Sequence, residues 1–222
     1  MLNDTELAQL EERCRAIPIT VNEYVATDFV MALFDTVLDY QNHVETIRKA
    51  GDHFRSNHWD EVRSLDDLED VLARFPDDQD GNRDLATYLW GNRHWRRAHE
   101  LRGLVVYFRQ RDVADLDSLQ RWAAGSRPED FIGHIKGLGP AVYRWLVMRA
   151  GVETIKPDTH ILRFVSAAIG RGVSEDEAVT SLEAVADRLG IPARVLDWSV
   201  WEAQRGGGAM GDGAGGSVFS PP

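Results

Sequence analysis

Apolar residues recur three and four positions apart along nearly the whole chain, as in Phe29, Leu33, Phe34, Val37 and Leu38 and again in Ala98, Leu101, Leu104, Val105 and Phe108. This period lays one stripe of a helix on a core, and the sustained alternation of a half-buried strand is absent. The spacing predicts an all-α protein, with helices over 4–16, 27–39, 42–56, 66–75, 84–90, 93–110, 117–124, 128–135, 140–150, 159–169, 174–189 and 192–204. Ser174 with Glu177, and Ser126 followed by Pro128 and Glu129, read as helix starts. From Gly206 the run GGGAMGDGAGGSVFSPP has too few apolar residues to offset chain entropy, so 206–222 is expected to be a disordered tail.

A chain of 222 residues can bury one substantial core or two smaller lobes. With 27% charged residues and no long apolar run, a membrane span is not expected. The first residues, MLNDTELAQLEERCR, lack the basic start and apolar run of a secretory signal, so a cytoplasmic location is expected. Cys14 is the sole cysteine, which excludes an intramolecular disulfide and any cysteine-built zinc or iron–sulfur centre. The seven histidines show no ligand spacing, so no metal or other cofactor is expected.

The net charge of −11 weighs against a nucleic-acid partner, but it is unevenly spread. Residues 1–80 hold 7 Lys/Arg against 19 Asp/Glu, residues 81–160 hold 13 against 9, and residues 161–222 hold 5 against 8. Any phosphate-binding surface therefore belongs to the central third. Asp66 to Asp80 has seven acids against Arg74 alone and reads as a solvated helix face and loop, with a basic partner as the alternative.

The most informative segment is 131–165, FIGHIKGLGPAVYRWLVMRAGVETIKPDTHILRFV. Two helices flank Lys136, Gly137, Leu138 and Gly139, and glycines around one apolar residue permit a tight turn that a phosphate can approach. Pro140 suits the first position of the following helix, whose free N–H groups attract an anion. The ordinary alternative is a bare αα-hairpin. A short loop then leads to Lys156, Pro157, Asp158, Thr159 and His160 and another apolar helix.

This block resembles the helix-hairpin-helix and following aspartate of the endonuclease III superfamily of DNA glycosylases. In that family the hairpin reads like LPGVGRKTA and the aspartate stands in a VDTHxxR context. Ile135 to Gly139 match the hairpin, and Asp158, Thr159, His160 and Arg163 match the catalytic block. More weakly, VLDYQNHVETIRKA over 37–50 is similar to the family segment LLSAQATDxxxxKA, which would make Gln41 the residue inserted where a nucleotide flips out. A glutamine at a helix start is otherwise simply solvated. NRHWRRAHELRGLV, from Asn92, is similar to the long helix two elements before the hairpin.

The resemblance implies two helical lobes with a DNA-binding cleft between them. One would span 27–154, and the other would join 1–26 to 155–205. It implies a monomeric, monofunctional glycosylase that removes a damaged or mispaired base from double-stranded DNA, with Asp158 catalytic and Lys136, Gly137, Leu138, Gly139, Ala141 and Gln41 on the DNA. Asp158 is also a good N-cap, and the two roles are compatible. Three departures stand out: Ala141 replaces the lysine of bifunctional members, Tyr143 replaces a small residue, and VLDWSVWEAQRGGG replaces a four-cysteine cluster loop, as in clusterless relatives. Arg93, Arg96 and Arg97 are further candidate phosphate contacts, with plain solvation the alternative for Arg96 and Arg97; His160 would orient the loop or pack, and Trp95, Trp145, Trp198 and Trp201 read as core, with a stacking role for an exposed aromatic as the alternative. Two rivals remain: a non-catalytic DNA-binding protein that kept the hairpin, and a protein-interaction subunit using the acidic 66–80 region.

Overall fold

The computed structural model describes residues 2–21 and 25–206. Among them every regular element is a helix, and no helix is long and apolar enough to cross a membrane. The expected tail over 206–222 lies outside the described residues apart from Gly206, which ends the last helix. The helices are α1 (Asp4–Arg15), α2 (Phe29–Leu38), α3 (Val44–Asn57), α4 (Leu65–Ala73), α5 (Gln79–Trp90), α6 (Trp95–Arg109), α7 (Leu116–Gly125), α8 (Pro128–Phe131), α9 (Pro140–Arg149), α10 (Thr159–Ile169), α11 (Glu175–Leu189) and α12 (Ala193–Gly206). They form two compact units, one of residues 2–21 with 152–206 and the other of residues 25–151.

In the first unit, α10 packs on α1, α11 and α12 around Leu10, Ile155, Phe164, Val165, Leu182 and Leu196. Burial pushes the Cys14 thiol up to about 12, so it sits there as a small apolar side chain rather than a nucleophile. Caps define the ends. Asn3 and Glu6 close a capping box on α1, and the Ser174 hydroxyl accepts the Glu177 N–H at 3.2 Å. Glu177 does not reciprocate, because its carboxylate is taken by Arg171 at 2.9 Å. Gly170 and Gly190 close α10 and α11 in the left-handed conformation that glycine adopts without steric penalty.

The second unit is built around α2, whose ten residues are all buried, so it is covered on every side rather than along one stripe. Neighbours α6 and α9 pack on it, and α6 also carries α4 and α5. Arg149 of α9, 3% exposed, donates to Asp35 and, at 3.1 Å, to Asp39, both on or just after α2. This buried ion group joins two helices about 110 residues apart in sequence. The acidic stretch is partly engaged: Asp66 and Glu69 of α4 take Arg109 of α6, while Asp78 caps α5. Trp145 and Trp201 are buried as core residues in their respective units, whereas Trp95 and Trp198 are half-exposed.

Helix bounds differ from the sequence reading at α5, which starts at Gln79 rather than 84, and around α8. Ser126 closes α7 and Arg127 precedes Pro128 as the N-cap of α8. That helix then stops at Phe131 rather than 135, because Gly133 takes φ +89° and the chain turns early.

Candidate functional site

The hairpin belongs to the second unit. Its turn, 132–139, is held by side chains that point inward: Phe131, Ile135 and Leu138 are buried, and the Leu138 N–H donates to the Ile135 carbonyl at 3.2 Å. Tyr143 is buried beneath it. Its hydroxyl donates to the Ser126 carbonyl at 2.9 Å, and its ring lies 5.8 Å from that of Phe131. The large side chain thus fills the space under a short α8. Lys136 and Gly137 are exposed at the tip, Gly137 at φ +101°. Gly139 is extended and begins α9 with no side-chain cap, and Pro140 follows at the first helical position. The Gly139 carbonyl accepts from Tyr143 at 3.0 Å, which leaves the N–H groups of Ala141 and Val142 without an intrahelical acceptor. Ala141 is half-buried.

Gly137 is glycine for a second reason. A Cβ there would run into the Glu100 carboxylate and lie 3.4 Å from the Tyr40 hydroxyl. Glu100 is buried on α6 and pairs with Arg97 at 3.1 Å. Arg97 lies 3.6 Å over the Tyr40 ring and donates to the Tyr40 carbonyl at 2.5 Å. Burial, followed by the hydrogen bond to Glu100, holds the Tyr40 phenol well above its ordinary range, so it stays a donor. Arg97 is therefore committed inside the unit and, contrary to the sequence expectation of a phosphate contact, does not offer its charge outward. Arg93 and Arg96 are exposed, with Arg96 5.5 Å over Trp95.

The cluster brings together what the sequence separates by about a hundred residues. Gln41 follows Tyr40 on the turn between α2 and α3 rather than at a helix start. It is exposed and sits at φ +55°, one of two non-glycine residues with positive φ among those described. A glutamine gains nothing locally from that conformation, whose cost is about 1 kcal/mol or more.

Asp158 lies in the first unit, as the N-cap of α10. Its Oδ1 accepts the N–H groups of His160 at 2.9 Å and Ile161 at 3.0 Å, so the cap does not use Oδ2. The residue is half-buried and not lost in the core. The preceding loop is tight: Pro157 is buried, and the Asp158 N–H donates to the Lys156 carbonyl at 2.8 Å. The His160 ring is edge-on to Trp201, which stacks on Trp198 at 4.7 Å. Arg163 is exposed and lines a groove of about 490 Å³ with Arg13, Ile17 and Gln204.

Sequence reasoning missed Asp197. It is 6% exposed on α12, and its Oδ1 accepts the Lys156 N–H at 2.8 Å. Burial pushes its carboxyl up to about 7; Asp158 adds to the rise, and the Lys156 N–H and charge oppose it. The available signal was an acid beside Leu196 on the apolar stripe of VLDWSVW, where a carboxylate needs a partner. Among the described residues no cluster of three or more His, Cys, Asp or Glu side chains is arranged to hold a metal ion.

The model of a family described as a domain of unknown function, DUF8548, matches residues 8–205. No curated protein and no solved structure matches the chain.

Proposed function

The chain belongs to the DUF8548 family, and from its own residues we propose that it is a monofunctional DNA glycosylase that hydrolyses the N-glycosidic bond of a damaged or mispaired base. The observation that carries the reading is the state of Asp158. One carboxylate oxygen fixes the side chain by capping α10, and the other is left out of the cap. A carboxylate oriented in this way can stabilise the oxocarbenium-like charge that builds on the sugar as the base leaves, or activate the attacking water. The uncapped start of α9 and the exposed Gly137 supply backbone N–H groups for a phosphate, which bind DNA without reading its sequence. Gln41, strained and exposed beside Tyr40, is the candidate for the gap left by a flipped nucleotide.

The test is a base-release screen against duplexes that each carry one lesion or mismatch, with Asp158→Asn as control. Wild type should release one class of base, and the variant should release none while keeping most of its duplex affinity, which phosphate contacts supply. Equal turnover by both proteins would remove Asp158 from the chemistry. Salt-dependent binding without base release would identify a non-catalytic DNA-binding protein. Loss of all duplex binding would favour a protein partner for the acidic 66–80 region.

A further inference from the structure

Asp158 is fixed on its helical side by its own cap, but the chain entering it comes from an irregular segment, 152–157. Irregular backbone holds a side chain to catalytic precision only when something else fixes it. In this unit that anchor comes from α12. The Asp197 carboxylate accepts the Lys156 N–H, the Lys156 carbonyl accepts the Asp158 N–H, and Asp158 caps α10. Two hydrogen bonds thus run in series from a buried side chain to the backbone of the candidate catalytic residue, across a buried proline that removes the remaining freedom in φ, and the cap on α10 fixes that residue from the other side. An acid on the apolar face of α12 is a liability for folding alone, since burying it costs more than an apolar residue of the same size.

We propose that Asp197 is the positioning residue of the Asp158 site: its buried carboxylate clamps the Lys156 N–H and thereby sets where the free Asp158 oxygen points. The inference rests on the glycosylase reading for its effect on rate, while the clamp itself stands on the geometry. Among the described residues the charged groups around Asp197 are few. Lys156 and Asp158 act on it from the loop, and Glu153 of the same segment is taken by Arg194 of α12. From α11, Glu183 accepts the Thr154 hydroxyl at 2.6 Å; from residues 17–20 comes the uncharged Thr20, on Ser199. From α10 comes His160, through Trp201. The clamp needs an acceptor at that spot rather than a charge, so asparagine should replace aspartate there.

The experiment compares wild type with Asp197→Asn, Asp197→Ala and Asp197→Leu in the full chain; leucine fills the volume should alanine open a cavity that unfolds the unit. Amide exchange by NMR reads the clamp directly. Protection of the Lys156 N–H should fall about tenfold or more in the Ala and Leu variants, the loss expected for one hydrogen bond to a carboxylate, and stay near wild type in Asn. Single-turnover base release should fall about 100-fold in Ala and Leu, a typical effect of a small misplacement, with duplex affinity unchanged. Asparagine should restore most of the rate. Protection that survives in both Ala and Leu would overturn the proposal, as would unchanged release or an Asn variant as slow as Ala. If wild type released no base from any duplex, the glycosylase reading would fall, and the protection pattern alone would still decide whether Asp197 holds the Asp158 loop.

Discussion

Two residues in the second unit carry backbone conformations that their positions explain differently. Gly133 and Gly137 both have positive φ, but a Cβ at 133 meets open space whereas one at 137 meets the Glu100 carboxylate. Gly133→Ala should therefore cost about 1 kcal/mol, from the left-handed backbone alone. Gly137→Ala should cost roughly 1–3 kcal/mol more, because a buried ion pair must shift as well. Denaturant midpoints at constant slope will separate the two; equal costs would mean that Glu100 gives way freely. At Gln41 the strain belongs to the side chain's presence rather than to packing. Gln41→Gly should stabilise the unit by about 0.5–1 kcal/mol while weakening base release, whereas Gln41→Ala should lose the function without gaining stability. A glycine variant that is stabler and fully active would show that the side chain serves no wedge role.

At the level of the helix, α6 shows how neighbouring arginines divide their work. Arg96 is exposed, whereas Arg97, rotated about 100° around the axis, is sealed against Tyr40 and Glu100. Replacing Arg97 with alanine strands the buried Glu100 carboxylate, so the expected loss is about 3 kcal/mol of stability. Arg93→Ala and Arg96→Ala should leave stability within about 0.5 kcal/mol. If these two meet phosphates, each should reduce the slope of log affinity against log salt by about 0.9. An unchanged slope in the double variant would put the phosphate path on the hairpin alone. In the hairpin the second helix, α9, has ten residues and the first, α8, four, with the Tyr143 hydroxyl bonded to the Ser126 carbonyl just before α8.

Among the described residues each unit hides one carboxyl raised by burial to about 7: Asp197 in the first and Asp35 in the second. Asp35 is lowered by Arg149 and Arg55 and raised by Asp39, but burial dominates. The sign follows directly. Between the ordinary carboxylate value of about 4 and the raised value, the folded state holds protons that the unfolded chain has lost, so these groups make stability fall as pH rises through that window and level off above it. Glu61, held down to about 2 by Tyr88 and Arg74, acts in the opposite sense, its stabilisation being lost only as pH falls through that value. Chemical denaturation at pH 5 and pH 8 should show lower stability at pH 8, with a shallower dependence in Asp35→Asn and Asp197→Asn. A pH-independent midpoint across that range would contradict both raised values. The proposed glycosylase reading carries a further check, because Ala141 has no amine to form a Schiff base. Strand breaks at the abasic product should appear only after hot alkali, and borohydride should trap no adduct; a trapped adduct lost in Lys156→Ala would show that another lysine was recruited.

The helical class, the caps at Ser174 and Asp158 and the glycine turn at 137–139 were legible because each is local: a 3.6-residue period, a side chain reaching its own helix start, a φ that only glycine adopts cheaply. The same locality explains the errors. Period alone marked one apolar stripe on α2 but not that it is buried all round, and it could not tell Arg96 from Arg97, since the facing of adjacent residues depends on how α6 seats against α2. The partner of Asp197, the Arg149 group with Asp35 and Asp39, and the strain at Gln41 lay beyond reach for a related reason. A buried charge is tolerated only where a partner from a distant segment satisfies it, and a strained φ only where surrounding contacts impose it. Sequence by itself determined which segments would coil and where the glycine turn would fall; the tertiary structure decided several helix bounds and which charged side chains became internal fasteners, because the latter depends on partners about 40 to 110 residues away, and no short-range spacing encodes them.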